Sequence, residues 1–167
     1  TSLSEIGQIN PRNILNDDLI VSFISMDKIS SKYSHPVDVN EKKTWKNIKM
    51  GYTHLKDGDV IMAKITPCFE NKKSSVLCGL SNSYGAGSTE LHVFRAIGDI
   101  NPHYVLIYLK SPHFMQYASN NMTGTAGQQR VPSEIFATYP FPMPPYEEQK
   151  RIVKKVENLM NLSGKLE

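Results

Sequence analysis

Residues 122–151 read MTGTAGQQRVPSEIFATYPFPMPPYEEQKR, and the rest of the chain is organised around them. The first piece, residues 123–130, has two glycines, two threonines, two glutamines and an arginine, and almost nothing that could fill a core. A short apolar element follows over residues 135–141, ending in the cluster made by Pro140, Pro142, Pro144 and Pro145. A charged helix then begins near Tyr146. This order predicts a loop that touches a ligand, a proline joint that sets an angle, and a helix that leads to a partner.

The chain has 167 residues, enough for one domain and an appendage, and its 40% hydrophobic content can bury a core. A net charge of +3 is too mild for a uniform electrostatic binder of nucleic acid, so such a role requires a local patch. No apolar run approaches membrane-spanning length, and residues 1–10 (TSLSEIGQIN) lack the charged and apolar regions of a signal peptide. Cys68 and Cys78 sit in a chain large enough not to need a staple. Free thiols and a cytoplasmic location fit that composition.

Outward from the central stretch, residues 19–24 (LIVSFI) read as a buried strand after the turn Asn16-Asp17-Asp18. Residues 30–40 read as a loop marked by His35-Pro36. Trp45 and Ile48 lie among Lys42, Lys43, Lys46 and Lys49, an amphipathic segment that fits helix or strand. Residues 59–66 (DVIMAKIT) follow the turn signal Asp57-Gly58 and read as the central strand, stopped by Pro67. Residues 74–78 read as its return strand, and 85–89 (GAGST) as a flexible loop feeding an alternating strand over 90–96. Asn101-Pro102 and Ser111-Pro112 each place a capping side chain before a proline, so two helices start there. The first should bury Val105, Leu106 and Leu109, the second Phe114, Met115 and Ala118. Strands and helices without strict alternation predict an α+β fold, with a twisted mixed sheet, flanking helices and a projecting C-terminal helix. In that helix Ile152, Val156, Leu159 and Leu166 share helical spacing, with Val153 and Met160 beside them. It reads either as a terminal helix docked on its own domain or as the opening turns of a coiled coil.

Several segments together resemble a known family. They are Ile9-Asn10-Pro11-Arg12, residues 21–26 (VSFISM), 58–73 (GDVIMAKITPCFENKK), 87–93 (GSTELHV), 122–131 (MTGTAGQQRV) and 142–153 (PMPPYEEQKRIV). In this order and spacing they are similar to a target recognition domain of the DNA specificity subunit of type I restriction–modification systems. The resemblance implies a non-catalytic subunit with two such domains, each reading half of a split double-stranded DNA target. It implies long helices between the domains, and methylation and restriction subunits assembled around them. On this pattern residues 1–143 are the recognition domain and 144–167 open the spacer helix. Only one domain is present, so the chain is expected to be a fragment or a half-subunit that pairs with a second copy. Ile152, Val156 and Leu159 would then face the partner.

The same residues carry a chemical argument. Reading a groove needs paired donors and acceptors: glutamine matches an adenine edge, arginine a guanine edge, and threonine contacts either. Gln128, Gln129 and Arg130 supply that set, with Thr125 beside them and glycines allowing close backbone approach. Phosphate contacts need lysine, hydroxyl or amide groups, which Lys64, Thr66, Asn71, Lys72, Lys73, Ser88 and Thr89 can offer. On composition alone the 123–130 loop reads first as an ordinary solvated loop, and it is the surrounding resemblance that favours a reading role.

Three catalytic patterns fail on inspection. Asp59 with Glu70-Asn71-Lys72 fits the loose acidic pattern of metal-dependent nucleases, but Glu70 follows Pro67 in a polar connector. Met143-Pro144-Pro145-Tyr146 resembles the Asn-Pro-Pro-Tyr motif of adenine methyltransferases, with Met143 where the amine-holding asparagine would be. The cysteines and histidines, His92 included, lack zinc-site spacing. Core cysteines and surface histidines are the expectation, with no metal and no cofactor. A protein-interaction scaffold that assembles the other subunits through its helix is the competing reading.

Overall fold

A computed structural model describes residues 1–33 and 35–164. In chain order they form α1 (Leu3–Ile6), β1 (Gly7–Ile9), β2 (Ile20–Ile24), β3 (Lys42–Thr44), α2 (Trp45–Ile48), β4 (Thr53–Lys56), β5 (Val60–Ala63), β6 (Ser74–Val76), β7 (Tyr84–Gly87), β8 (Leu91–Ala96), α3 (Pro102–Leu109), α4 (Pro112–Asn120), α5 (Ser133–Thr138) and α6 (Tyr146–Gly164). The class is α+β, as the unalternated order of strands and helices predicts. The strands divide between two four-stranded sheets rather than forming one. The first, in order β1-β8-β5-β6, is antiparallel throughout. The second, β3-β2-β7-β4, is mixed, because β2 and β7 run parallel.

Period-two alternation along β5 and β8 builds the layers. Val60, Met62 and Phe94 face a core closed by helices, with Val105, Leu106, Leu109, Phe114, Ala118, Phe136 and Val153. Ile61, Leu91 and Val93 face the other way, against Ile24 and Leu55 of the second sheet. Val21, Phe23 and Ala86 on the far side of that sheet are covered by Trp45 and Ile48. Trp45 therefore caps a sheet from a single helical turn, which resolves the lysine-flanked segment into β3 and α2.

Residues 85–89 do not form the flexible loop that their glycines suggest. Gly85 and Gly87 lie buried inside β7, between β2 and β4. A Cβ on Gly85 would stand 2.6 Å from the Ser22 carbonyl oxygen, and one on Gly87 2.5 Å from that of Ile24. Here glycine serves close strand approach rather than mobility. The central strand is also shorter than residues 59–66. Past Ala63 the chain turns its hydrogen bonds toward other segments, and Pro67 offers no N–H.

Both helix starts form as the sequence indicates. The Asn101 side chain accepts from the His103 amide at 3.0 Å, and the Ser111 hydroxyl from the Phe114 amide at 3.3 Å. Five of the six expected core residues are buried, while Met115 is half-buried. The cysteines are not core: Cys68 is half-buried and Cys78 exposed. His35, His103 and His113 are exposed as expected, whereas His54 and His92 are buried. Each buried histidine makes this possible by engaging both ring nitrogens in hydrogen bonds.

The proline joint is held by two tyrosines. The Tyr104 hydroxyl donates to the Pro142 carbonyl at 3.0 Å, and that of Tyr108 to the Pro140 carbonyl. Beyond it, Gln149 and Val153 are buried against the domain. The Gln149 Oε1 accepts from the Asn101 amide at 2.9 Å and its Nε2 donates to the Pro144 carbonyl at 3.0 Å. The helix leaves the core after this anchor. Ile152 and Val156 are half-buried, while Leu159, Met160 and Leu162 are exposed. Leu166, the last residue of the expected seam, lies outside the described residues.

Candidate nucleic-acid interface

The glycine-rich loop between α4 and α5 is a small hairpin. Thr123 and Arg130 exchange both backbone bonds, at 3.0 and 2.8 Å. Its tip turns over Thr125 to Gln128, where the Gln128 amide donates to the Thr125 carbonyl at 2.9 Å. Gly127 there has φ +81° and Gly124 has φ +118°, both in the region where a Cβ is strained. A Cβ on Gly124 would also meet the Gln128 carbonyl oxygen at 2.8 Å. The glycines thus fix the shape of the tip, and Thr125 and Gln128 are exposed on it.

The hairpin is bolted to the segment that follows β5. The Thr66 amide donates to the Gln129 carbonyl at 2.9 Å, and the Gln129 amide to the Thr66 hydroxyl at 3.1 Å. The Val131 amide donates to the Lys64 carbonyl at 2.8 Å. Beneath it, buried His92 donates from Nε2 to the Val131 carbonyl at 2.7 Å and stacks on Phe136. Burial pushes the His92 imidazole down to about 4. Ile65 bridges to Arg130, so the loop extends the first sheet at the C-terminal end of β5.

Arg130 does not stand free. Its Nε lies 2.9 Å from Glu90 Oε2 and its Nη2 lies 2.8 Å from Glu90 Oε1. Its Nη1 reaches the Gln128 carbonyl at 3.3 Å. Those bonds hold the Glu90 carboxyl below its ordinary value, against partial burial; the charges of Arg130 and Lys64 add to the lowering. The Ser88 hydroxyl accepts from the Glu90 amide at 3.1 Å, and exposed Thr89 lies between them. The fold therefore gathers Lys64, Thr66, Ser88, Thr89, Gln129 and Arg130 at one end of the first sheet, with Thr125 and Gln128 on the hairpin above.

Asn71, Lys72 and Lys73 belong to the neighbouring β5–β6 connection and are drawn in a different direction. The Lys73 ammonium donates to the Met26 carbonyl at 3.2 Å. Lys72 sits at φ +57°, and its carbonyl accepts from the Lys110 ammonium at 2.9 Å. Lys110 also holds the Ser31 carbonyl at 3.1 Å, and burial pushes its amine down to about 8. Asn71 and the Lys72 side chain are exposed. Three residues that shape this end were not singled out from sequence: Glu90, Lys110 and His92 in its bracing role. Glu90 and Arg130 are 40 residues apart, so no local spacing links them.

The acidic pair that resembles a nuclease pattern has a structural explanation. Asp59 is fully buried and takes a two-point bond from Arg95, at 2.7 and 2.8 Å, plus one from the Lys56 amide at 2.7 Å. Burial pushes its carboxyl up, against the pull of Arg95. Glu70 is exposed on the β5–β6 connection. Among the described residues, no group of three or more His, Cys, Asp or Glu is placed to hold a metal ion.

With this geometry in view, a family model described as the type I restriction modification DNA specificity domain matches residues 3–167. The chain belongs to that family. It is 46% identical over 171 residues to the type I restriction enzyme EcoAI specificity subunit of Escherichia coli, covering 100% of this chain and 28% of that one. It is also 46% identical over 168 residues to the EcoEI specificity subunit of the same organism, covering 99% of this chain and 28% of that one. This specificity domain thus spans about 28% of the length of those relatives. The HsdS subunit from Thermoanaerobacter tengcongensis shares its fold at TM-score 0.75 and 23% identity, over 98% of this chain and 42% of that one. A chain from a structure of complex assembly and conformational transition in the type I R-M system aligns at TM-score 0.76 and 22% identity, over 99% of this chain and 43% of that one. Among the described residues, no helix is long and apolar enough to cross a membrane.

Proposed function

We propose that this chain is a non-catalytic, sequence-specific DNA-binding module of a type I restriction–modification complex, reading one half of a split double-stranded target. The observation that carries this reading is the exposed hairpin bearing Gln128, Gln129 and Arg130, bolted to the end of β5 in a chain of the specificity-domain family. A rigid loop loses little freedom on binding, and its side chains are the types that match base edges. Gln128 and Arg130 take the reading role. Lys64, Thr66, Asn71, Lys72, Lys73, Ser88 and Thr89 serve the backbone, as lysine ammonium, hydroxyl and amide groups suit phosphate. Residues 1–143 form the reading domain, and 144–167 begin the spacer helix. Methylation and restriction subunits assemble around it in the cytoplasm. The exposed Leu159 and Leu162, with half-buried Ile152 and Val156, are the surface on which a second domain or a second copy would pack.

The test is selection of bound sequences from a randomised duplex pool by the full chain, followed by affinities across a salt series. The wild-type chain should enrich a short motif. Gln128→Ala or Arg130→Ala should lose roughly 1–3 kcal/mol of discrimination at one base pair. Lys72→Ala should weaken all duplexes about equally and reduce the salt slope by roughly 1. A wild-type chain that enriches nothing would overturn the reading.

A further inference from the structure

The Glu90–Arg130 pair has a geometry that ordinary stabilisation does not explain. Arg130 is 45% exposed and Glu90 25%, and an ion pair that open to water adds little to stability. Its effect is orientation. A guanidinium has five N–H groups in a rigid planar fork. Nε and Nη2 form the side edge of that fork, and both point at the Glu90 carboxylate. Nη1 gives one N–H to the Gln128 carbonyl. Three of the five are then engaged, which leaves one on Nη1 and one on Nη2. Two terminal N–H groups are what the O6/N7 edge of guanine accepts.

We propose that Glu90 is a positioning residue for DNA reading: it grips Arg130 side-on so that the terminal end of the guanidinium meets the O6/N7 edge of a guanine. The inference rests on the DNA-reading function proposed above. The carboxylate contributes twice. It fixes the rotamer of a long side chain on an exposed loop, and it cancels the arginine charge. A neutralised arginine has little reason to drift onto a phosphate, so the pair favours base reading over backbone binding. Thr66 supports it from below by clamping the Gln129 backbone, and Lys64, just past β5, donates its amide to the carbonyl of Glu90, just ahead of β8. Without Glu90, Arg130 becomes an unpaired, mobile cation on a loop, which is the description of a phosphate contact.

The experiment compares the wild-type chain with Glu90→Gln, Glu90→Ala, Arg130→Ala and the double variant Glu90→Gln/Arg130→Ala. Each is used in randomised-duplex selection and in salt-dependent titrations against the enriched and a scrambled duplex. Thermal melts confirm that the variants fold. The wild-type motif should contain a guanine whose preference falls by about tenfold or more in both Glu90 variants. Affinity for the scrambled duplex should hold or rise, and the salt slope should steepen by about 1 as Arg130 finds a phosphate. Adding Glu90→Gln to Arg130→Ala should cost no further discrimination, because both act at one base. If wild-type enrichment is intact and the Glu90 variants keep the guanine preference, this proposal fails while the DNA-reading function stands. It fails in the same way if both duplexes weaken equally with an unchanged slope, since that is mere bracing of the loop. If the wild-type chain enriches no motif, both fall together.

Discussion

Acidification should unfasten the hairpin through His92. The ring is 2% exposed, and its protonation state is fixed by its neighbours. Asn10 Oδ1 accepts from the Val93 amide at 2.8 Å, so the other half of that amide, Nδ2, faces His92 Nδ1 at 3.3 Å as a donor. Nδ1 must then accept, and Nε2 carries the hydrogen given to Val131. Protonation would set an N–H against the Asn10 N–H and place a charge in the core. Burial accordingly lowers the group from 6.5 to about 4. Between those values the unfolded chain binds the extra proton and the folded chain does not. The stabilisation is therefore fully present above about pH 6.5 and is lost as pH falls toward 4. At about 1.4 kcal/mol per pH unit the full loss is roughly 3 kcal/mol, and about 2.5 kcal/mol of it is gone by pH ~4.5. Urea denaturation of the wild-type chain and His92→Gln between about pH 7 and pH 4.5 isolates this residue, because glutamine does not titrate. Wild type should begin more stable, and the gap should shrink by about 2.5 kcal/mol on acidification. A gap that stays constant to within roughly 0.5 kcal/mol would refute the assignment of a neutral, doubly bonded imidazole.

Two further outcomes follow from the fold. Gly87→Ala should destabilise the chain by about 3 kcal/mol or more in the same urea assay, since the new methyl meets the Ile24 carbonyl oxygen at 2.5 Å inside the second sheet. Gly98→Ala is the comparison: it has open space but φ +76°, so its cost should come from backbone strain alone and be smaller. Sedimentation of the full chain at rising concentration should show self-association, and Leu159→Glu should abolish it without changing the melting temperature by more than a few degrees. Leu159 is 54% exposed and lies beyond the buried anchor at Gln149 and Val153, so the change removes a contact surface rather than core.

Much of the fold is legible where one residue type has one common use. Asn101-Pro102 and Ser111-Pro112 announce helix starts because a capping side chain and a fixed φ act locally, and both caps form. The strand at Ile20–Ile24 and the strand at Val60–Ala63 announce themselves by density of branched residues. What the sequence leaves hidden is pairing. Nothing in residues 84–87 indicates that this segment lies parallel to β2, and two glycines there argue for a loop until their close approach to Ser22 and Ile24 is known. The same gap turns two stacked sheets into one expected sheet. Residues 60–63 are buried on both faces, and a run of that kind does not say which layers cover it.

The exposed loop at 123–130 is legible for a different reason: its glycines, threonines and glutamines are of little use to a core, so they stay at the surface. Composition marks the loop that we propose as the reader but not what holds it. Thr66 clamps Gln129 from 63 residues away, and Glu90 grips Arg130 from 40. The grip of Glu90 depends on β5 and β8 lying side by side, with Ala63 opposite Leu91. That register carries Lys64 and Glu90 out of the sheet together: the Lys64 amide donates to the Glu90 carbonyl at 2.9 Å, and the Lys64 carbonyl accepts the loop at Val131. A one-residue slip between these strands would turn Glu90 to the opposite face and strip Arg130 of its partner. The loop's chemistry is therefore encoded locally, whereas the direction in which its arginine points is encoded in the pairing of two strands that the loop does not belong to.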